Sequence, residues 1–220
     1  MAKLLVVNPN TTESMTRAIG RVARAAARRA EIVARNPAEG PAAIEGPDDF
    51  ARCLPHLLAE VTRGERDGCH GTVIACFDDP GVDEACALVA GPVTGIAEAA
   101  MRAASTIVAR WAIVTTVEPA VPAIENLVLR YGAELACAGV RAAGVRVLDL
   151  ERPSDSTRHR VLEAARALVN ESHAEAIVMG CAGMSTLRDD LGRTLGIPII
   201  DGVESAVRWL EDTLEQRRIS

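Results

Sequence analysis

Short apolar runs alternate with longer segments of helical period along the whole chain. Four runs have the length of a strand, at residues 3–7, 72–76, 111–115 and 177–181. Between Met15 and Ala26, apolar residues recur every three or four positions, which predicts a helix with one face toward a core. The alternation predicts an α/β fold in which a parallel sheet is covered by helices.

The remaining elements follow the same periodicities. Helices are predicted at residues 48–63 (interrupted near Pro55), 81–89, 96–109, 119–131, 154–169 and 185–195, with a last helix ending near residue 216. Strands are predicted at residues 31–35, from residue 92, and at residues 135–140, 145–150 and 198–200. Thr11 or Thr12 is a candidate cap of the first helix. Ser154 or Ser156 is a candidate cap of the helix predicted at residues 154–169. Residues 36–47, with three prolines and two glycines, predict a long loop of a kind that is often functional.

Three spacings indicate that one design occurs twice. Cys76 and Cys181 end similar runs 105 positions apart, Pro92 and Pro198 are offset by 106, and the runs ending at Val7 and Val114 by 107. The final helix corresponds to the helix that leaves the first half. Residues 1–95 with 207–220 are therefore predicted to form the first lobe, and residues 96–206 the second.

The two matched cysteines stand at the carboxyl ends of predicted strands, where open parallel sheets bind ligands. A helix N-terminus beside each thiol is expected to lower its pKa and favour the thiolate. After Cys181, the small-residue turn Ala182-Gly183-Met184 offers amides that could hold a carbonyl oxygen as it becomes an enolate. The other cysteines, at positions 53, 69, 86 and 137, are interpreted as inert.

Two acidic residues follow the first cysteine. Asp79 precedes Pro80 and is interpreted as an ordinary cap of the next helix. The charge of Asp78 opposes formation of a thiolate beside it, so we expect a structural or substrate-orienting role for Asp78 rather than a catalytic one.

Composition excludes several classes of function. A net charge of −6 and a pI near 5.3 oppose nucleic acid or an anionic membrane as the main partner. Apolar runs fall short of the roughly 18 residues of a membrane span, so a cytoplasmic protein is expected. The six cysteines form no Cys-x-x-Cys pair and are expected to be reduced, and the four histidines have no metal-ligand spacing. Lys3 is the only lysine and is poorly placed for a pyridoxal-phosphate Schiff base.

Two thiols on opposite faces of a small molecule suit the inversion of a carbon stereocentre. Such a reaction needs a base on one face and an acid on the other, and a thiolate and a thiol can exchange these roles with direction. Without pyridoxal phosphate the proton must already be fairly acidic. A ring carbon between a carbonyl and an amide nitrogen meets this requirement better than a free amino acid does.

Six short motifs resemble those of the hydantoin racemases. They are Asn8-Pro9-Asn10-Thr11, Ile44-Glu45-Gly46, Ile74-Ala75-Cys76-Phe77-Asp78-Asp79-Pro80-Gly81, Gly95-Ile96-Ala97-Glu98-Ala99-Ala100-Met101, Val114-Thr115-Thr116 and Gly180-Cys181-Ala182-Gly183-Met184. This group belongs to the cofactor-independent aspartate/glutamate racemase superfamily. The resemblance implies two pseudo-symmetric Rossmann-like lobes, each a parallel sheet flanked by helices, with the active site in the cleft between them.

The resemblance also implies the site and its ligand. Cys76 and Cys181 would be the two acid/base thiols, with no metal or cofactor, a cyclic ureide as substrate, and a homo-oligomeric enzyme. The residues implied around the substrate are Asn10, Ile44, Phe77, Thr115, Thr116, Ala182, Gly183 and Met184.

Departures from the wider superfamily narrow the choice. Amino-acid racemases typically follow the first cysteine with Asn-Thr and the second with Thr-His, whereas this chain has Phe77 and Ala182, which suit a less charged ring. Arylmalonate decarboxylases keep one cysteine and maleate isomerases keep two, so a lyase or isomerase reaction stays open. These residues do not distinguish hydantoin racemases from allantoin racemases. A non-catalytic ligand-binding module is an alternative of another class, and the presence of both thiols argues against it.

Overall fold

Two parallel sheets of four strands form the framework of the protein, whose computed structural model describes residues 1–219. The first sheet has the order β2-β1-β3-β4, with β1 at Lys3–Val7, β2 at Glu31–Arg35, β3 at Gly71–Ile74 and β4 at Val93–Gly95. The second has the order β6-β5-β7-β8, with β5 at Trp111–Thr115, β6 at Cys137–Ala142, β7 at Ala176–Met179 and β8 at Ile199–Ile200. The repeated order confirms the predicted α/β fold of two related halves.

Eight α-helices flank the sheets within residues 1–219. They are α1 (Glu13–Ala26), α2 (Pro47–Arg66), α3 (Val82–Leu88), α4 (Ile96–Ile107), α5 (Val121–Arg130), α6 (Asp155–Ser172), α7 (Arg188–Leu195) and α8 (Gly202–Ile219). Every residue of β3, β5 and β7 is buried, which explains why these strands are continuous apolar runs in the sequence. None of the described helices is both long and apolar enough to cross a membrane.

The halves are joined through the helices that follow their last strands. Helices α4 and α8 pack against each other, α8 also contacts α1 and β3, and α4 also contacts β7 and β8. The buried carboxylate of Glu211 in α8 accepts hydrogen bonds from the amides of Arg28, Arg29 and Ala30 at 3.1, 2.7 and 2.7 Å. The assignment of residues 1–95 with 207–220 to one lobe and 96–206 to the other stays a prediction.

Three local predictions were wrong. The segment Val147–Leu150, predicted as a strand, is a 3-10 turn, because its two end residues are both buried and are three positions apart. A second 3-10 turn occupies Ala182–Leu187, so the helix predicted from residue 185 begins at Arg188. Helix α2 runs through Pro55 without interruption and buries core residues on both sides of it.

Two predicted caps had different outcomes. Ser154 caps α6, where its side chain accepts a hydrogen bond from the Thr157 amide at 3.1 Å, as predicted. Thr12 stands at the cap position of α1, but its hydroxyl donates to the carbonyl of Ala42 at 2.7 Å and not to the helix. The Thr12 hydroxyl therefore holds the long loop between β2 and α2 against the start of α1.

Candidate active site

A cleft lies where the central strands of both sheets end. Cys76 follows β3 and Cys181 follows β7, two strands with the same place in their sheets, and both cysteines line the cleft. The thiols are close enough that negative charge on Cys181 raises the pKa of Cys76. The full lining comprises Asn8, Asn10, Met15, Ile44, Ala75, Cys76, Phe77, Asp78, Thr115, Thr116, Ala120, Val147, Gly180, Cys181 and Ala182.

Most of the residues predicted for the site lie in this cleft. Asn10, Ile44, Phe77, Asp78, Thr115, Thr116 and Ala182 line it together with the two cysteines. Gly183 and Met184 are not among the lining residues, and the Met184 side chain is fully buried in the core of the second half. Their backbone amides face the sulfur of Cys181 and favour its thiolate. Gly183 and Met184 therefore act on the thiol in this structure, not as part of the cleft wall.

Burial raises the pKa of both thiols. The pKa of Cys76 lies well above its ordinary value because the thiol is removed from water, and the neighbouring charge of Asp78 raises it further. Burial likewise raises the pKa of Cys181 to about 11, against the opposing effect of the Gly183 and Met184 amides. The expectation that helix N-termini lower these pKa values is wrong, because desolvation of the thiolate outweighs the nearby amide dipoles.

Asp78 is the acidic group of the cleft lining. Burial raises its pKa to about 6, so the carboxylate is ionised above that pH. No lysine, arginine or histidine contributes to the lining within residues 1–219, so the cleft offers an anion no opposite charge. The same residues contain no group of three or more His, Cys, Asp or Glu side chains placed to hold a metal ion.

Two asparagines form a polar corner of the cleft after β1. The side-chain amide of Asn8 donates to Asn10 Oδ1 at 2.8 Å and to Thr16 Oγ1 at 3.0 Å, and the Asn10 amide donates to Met15 Sδ at 3.3 Å. Asn8 and Met15 were not predicted as site residues. The polar run that begins directly after the first strand was an available signal for Asn8, whereas Met15 has the pattern of an ordinary core residue.

The strand β5 fixes the backbone in front of the second cysteine. Thr115 Oγ1 donates to the carbonyl of Gly180 at 3.1 Å, and both residues line the cleft. A Cβ atom at Gly180 would lie 2.9 Å from the carbonyl oxygen of Val114, closer than side chains ordinarily approach backbone. Glycine at this position therefore lets β5 approach the residue that precedes Cys181.

The long loop between β2 and α2 connects the halves beside the cleft. Ile44 in this loop lines the cleft, and the adjacent Glu45 accepts a hydrogen bond from the Val147 amide at 2.6 Å. Val147 belongs to the second half and also lines the cleft. The Ser14 hydroxyl donates to the carboxylate of Glu151 in a second link between the halves. Glu45 received no role from the sequence, since its partner is 102 positions away.

Asp79 caps a different helix from the one predicted. Its backbone is left-handed, with φ of 44°, and its buried carboxylate accepts hydrogen bonds from the Ala97 and Glu98 amides of α4, each at 3.0 Å. The Tyr131 hydroxyl of the second half donates to the same carboxylate at 2.8 Å. The N-cap position of α3 belongs to Gly81. The prediction that Asp79 caps α3 was wrong because this carboxylate is committed to the start of α4.

Comparison with known proteins identifies the family. A family model described as Asp/Glu/Hydantoin racemase matches residues 4–210. The chain belongs to this family. The hydantoin racemase of Rhizobium meliloti is 44% identical over 210 residues, which cover 95% of this chain and 87% of that protein. The hydantoin racemase of Pseudomonas sp. (strain NS671) is 38% identical over 214 residues, or 97% of this chain and 86% of that protein. The predicted resemblance is confirmed, and the chain is an enzyme of a racemase family.

Solved structures share the same architecture. The allantoin racemase from Klebsiella pneumoniae has a TM-score of 0.94 and 40% sequence identity, and the match covers 98% of this chain and 89% of that one. The glutamate racemase from Campylobacter jejuni subsp. jejuni has a TM-score of 0.71 at 16% identity, covering 96% and 85% of the two chains. The likeness to glutamate racemase concerns the fold alone.

Proposed function

We propose that this protein racemises 5-substituted hydantoins without a cofactor, with Cys76 and Cys181 as the two acid/base groups. The observation that supports this most directly is that cysteines from equivalent strand ends of the two halves line one cleft. The hydantoin racemases of Rhizobium meliloti and Pseudomonas, at 44% and 38% identity, supply the substrate class. The need for reduced thiols agrees with a cytoplasmic location, which is part of the proposal.

The proposed reaction removes a proton from one face of carbon 5 and returns a proton to the opposite face. The thiolate of one cysteine takes the C5 proton and becomes a thiol, and the electron pair passes to the adjacent carbonyl as an enolate. The thiol of the other cysteine then gives its proton to the opposite face of C5 and becomes the thiolate. The second enantiomer is converted by the same steps with the roles of Cys76 and Cys181 exchanged.

The high pKa of both thiols has two consequences for this reaction. A thiolate of high pKa is a stronger base toward carbon acids, which favours removal of the C5 proton. The thiolate fraction is small near neutral pH, because the pKa of Cys181 is about 11 and that of Cys76 is also raised. We therefore expect kcat/KM to rise with pH through the neutral range.

The charge of the cleft supports a neutral substrate with N–H donors. A dicarboxylate would face Asp78 with no cationic side chain among the lining residues of the described chain, which disfavours the maleate isomerase and decarboxylase alternatives. A hydantoin ring is uncharged and carries two N–H groups. We propose that Asp78 and the Thr115 hydroxyl oxygen each accept a ring N–H, while Asn10 and Thr116 bind ring carbonyls. Ile44, Phe77, Ala182 and the turn held by Gly183 and Met184 complete the proposed binding site.

Allantoin is a second candidate substrate. Allantoin is itself a hydantoin with a ureido group at carbon 5, so it offers the same C5–H and the same ring to the cleft. The observation in its favour is the 40% identity and TM-score of 0.94 to the allantoin racemase from Klebsiella pneumoniae. Relative rates on the two kinds of substrate decide between them.

The test follows circular dichroism of optically pure 5-benzylhydantoin, 5-isopropylhydantoin and allantoin without added cofactor. Wild type, Cys76→Ser, Cys181→Ser and Cys137→Ser are compared, the last as a matched control because Cys137 lies outside the cleft lining. Wild type and Cys137→Ser are expected to abolish the optical signal of at least one substrate. The other two variants are expected to be slower by about 100-fold or more, the typical range for loss of an acid/base group.

Exchange of the C5 proton in deuterated water, measured by NMR, tests the two faces separately. Each cleft variant keeps one thiol, so any residual exchange is expected for one enantiomer in preference to the other. Racemisation at the wild-type rate by either cleft variant would contradict the two-thiol mechanism. If wild type leaves all three substrates unchanged but converts maleate or an arylmalonate, the hydantoin proposal is wrong and the corresponding isomerase or decarboxylase function replaces it.

A further inference from the structure

The two halves supply the carboxylate that caps their last helix in different ways. In the second half, Asp201 caps α8, where Oδ1 accepts a hydrogen bond from the Glu204 amide at 2.9 Å. Ser185, in the turn that follows Cys181, donates its hydroxyl to the Ala182 carbonyl at 3.0 Å, within that turn. In the first half the capping carboxylate belongs to the cysteine turn itself, as the side chain of Asp79.

Sequence position and space show that the two helix starts correspond. Gly95 and Asp201 are 106 positions apart, the same offset as Pro92 and Pro198, and each directly precedes the last helix of its half. In the cysteine turns, Met184 corresponds to Asp79, because its amide donates to the Cys181 carbonyl at 3.0 Å as the Asp79 amide does to that of Cys76. A Cβ atom at Gly95 would lie 2.0 Å from Cγ and Oδ1 of Asp79. The Asp79 carboxylate therefore fills the space that a side chain at position 95 would need. Each half therefore has one buried carboxylate at the start of its last helix. In the first half it comes from the cysteine turn, and in the second half from the residue that precedes the helix.

Asp79 is well placed to act on Cys76 without touching a substrate. It does not belong to the cleft lining, and its amide donates to the Cys76 carbonyl at 3.1 Å, which closes the turn that carries the thiol. Asp79 is 5% exposed, and its carboxylate accepts hydrogen bonds from three donors, the amides of Ala97 and Glu98 and the Tyr131 hydroxyl. These bonds fix the turn to α4 and to the second half at once.

We propose that Asp79 is a positioning residue that holds the Cys76 thiol in register with the cleft. The kinetic part of this inference rests on the proposed racemase function. Two roles of Asp79 must be separated, the capping of α4 and the attachment of the cysteine turn. Moving the carboxylate to position 95 separates them.

The experiment compares two double variants that both restore a cap to α4. Gly95 has φ of −89° and ψ of 160°, an extended conformation that suits an aspartate at an N-cap. Asp79→Ser with Gly95→Asp places a hydroxyl on the turn and a carboxylate on the helix, so that the turn can still be hydrogen-bonded to the start of α4. Asp79→Ala with Gly95→Asp caps the helix but leaves the turn unattached.

Both double variants are expected to melt somewhat below wild type, because serine and alanine adopt the left-handed backbone at position 79 less readily than aspartate. Asp79→Ala alone is expected to melt lower still, because buried amides lose their acceptor. The serine double variant is expected to keep kcat within about threefold of wild type. The alanine double variant is expected to lose about tenfold or more in kcat with little change in KM, since a displaced acid/base group slows the chemical step. Wild-type kcat in the alanine double variant would overturn the inference and leave Asp79 as a helix cap only.

A second measurement needs no substrate. Iodoacetamide labelling of Cys76 and Cys181, followed by peptide mass spectrometry, compares the two thiols within one molecule. In Asp79→Asn, which keeps the side-chain volume, the labelling rate of Cys76 divided by that of Cys181 is expected to rise roughly threefold or more, because a loosened turn exposes Cys76. An unchanged ratio overturns the inference. If wild type does not racemise hydantoins but the ratio changes, the proposed function fails while the attachment of the turn stands.

Discussion

Replacing Glu211 with alanine tests how α8 is held against the first sheet. The Glu211 side chain is 3% exposed and its carboxylate accepts hydrogen bonds from three consecutive backbone amides at 2.7 to 3.1 Å. The Arg28 guanidinium adds a fourth bond through Nε at 3.1 Å. Alanine removes all four acceptor contacts and leaves a cavity in their place.

The expected loss of stability follows from these contacts. A hydrogen bond to a charged group contributes roughly 1.5 to 3 kcal/mol, but the arginines at positions 28 and 29 are exposed enough for water to replace part of each bond. We therefore expect Glu211→Ala to lower the free energy of unfolding by about 3 kcal/mol. For a chain of this size that corresponds to a fall in Tm of about 6 to 12 °C. Glu211→Gln keeps one acceptor oxygen and is expected to lose about half as much.

Calorimetry or thermal circular dichroism at several pH values provides the assay. Burial raises the pKa of Glu211, but the hydrogen bonds from the three amides and Arg28 outweigh it and hold the pKa below 4.5. The carboxylate therefore stabilises the fold above about pH 4.5, and this contribution disappears as pH falls through the lowered pKa. The difference between wild type and Glu211→Gln should narrow in acid.

The control is Glu163→Gln, which removes an exposed ion pair with Arg166 on α6 and should change stability by less than about 0.5 kcal/mol. A Tm for Glu211→Ala within about 2 °C of wild type would refute the reasoning. A gap between wild type and Glu211→Gln that widens in acid would refute the assignment of the effect to an ionised carboxylate.

Three further predictions concern the cleft. Asp78→Asn removes a charge that raises the pKa of both cleft thiols. The pH at which the rate of their labelling by iodoacetamide increases should therefore be lower than in wild type, and a higher pH would contradict this. Glu45→Gln weakens the hydrogen bond to the Val147 amide, so KM should rise severalfold while Tm stays nearly unchanged. An unchanged KM in initial-rate assays would show that this hydrogen bond does not contribute to substrate binding. Gly180→Ala places a methyl group 2.9 Å from the Val114 carbonyl, so both Tm and kcat should fall; wild-type values for both would contradict the close approach.

The duplicated sequence pattern was the strongest predictor of the two cysteine positions in the site. Matched apolar runs placed Cys76 and Cys181 at equivalent strand ends, and parallel strands bring such ends to one edge. These two positions could be predicted because strand period and chain order determine them locally. Asn10 and Thr115 followed from the family resemblance, since a polar residue at a strand end has no unique meaning by itself.

Other features depend on contacts that sequence patterns do not encode. Glu45 meets an amide 102 positions away, and Asp79 caps a helix 18 positions on and not the adjacent one. Local sequence rules predict only nearby partners for these side chains, and their observed partners are set by the tertiary structure. The pKa error for the thiols has a similar origin, because a helix N-terminus is visible in sequence whereas the extent of desolvation is set by the packed cleft.

The interlocking of Asp79 with Gly95 constrains how the two halves could have diverged. From an ancestor with the second-half arrangement, gain of the carboxylate at position 79 before loss of the one at position 95 places two acidic side chains in one space, with atoms 2.0 Å apart. Loss first leaves the start of α4 without its acceptor. Either order passes through a less stable intermediate, so the two substitutions are epistatic. Return by single mutations is therefore expected to pass through the same less stable intermediates.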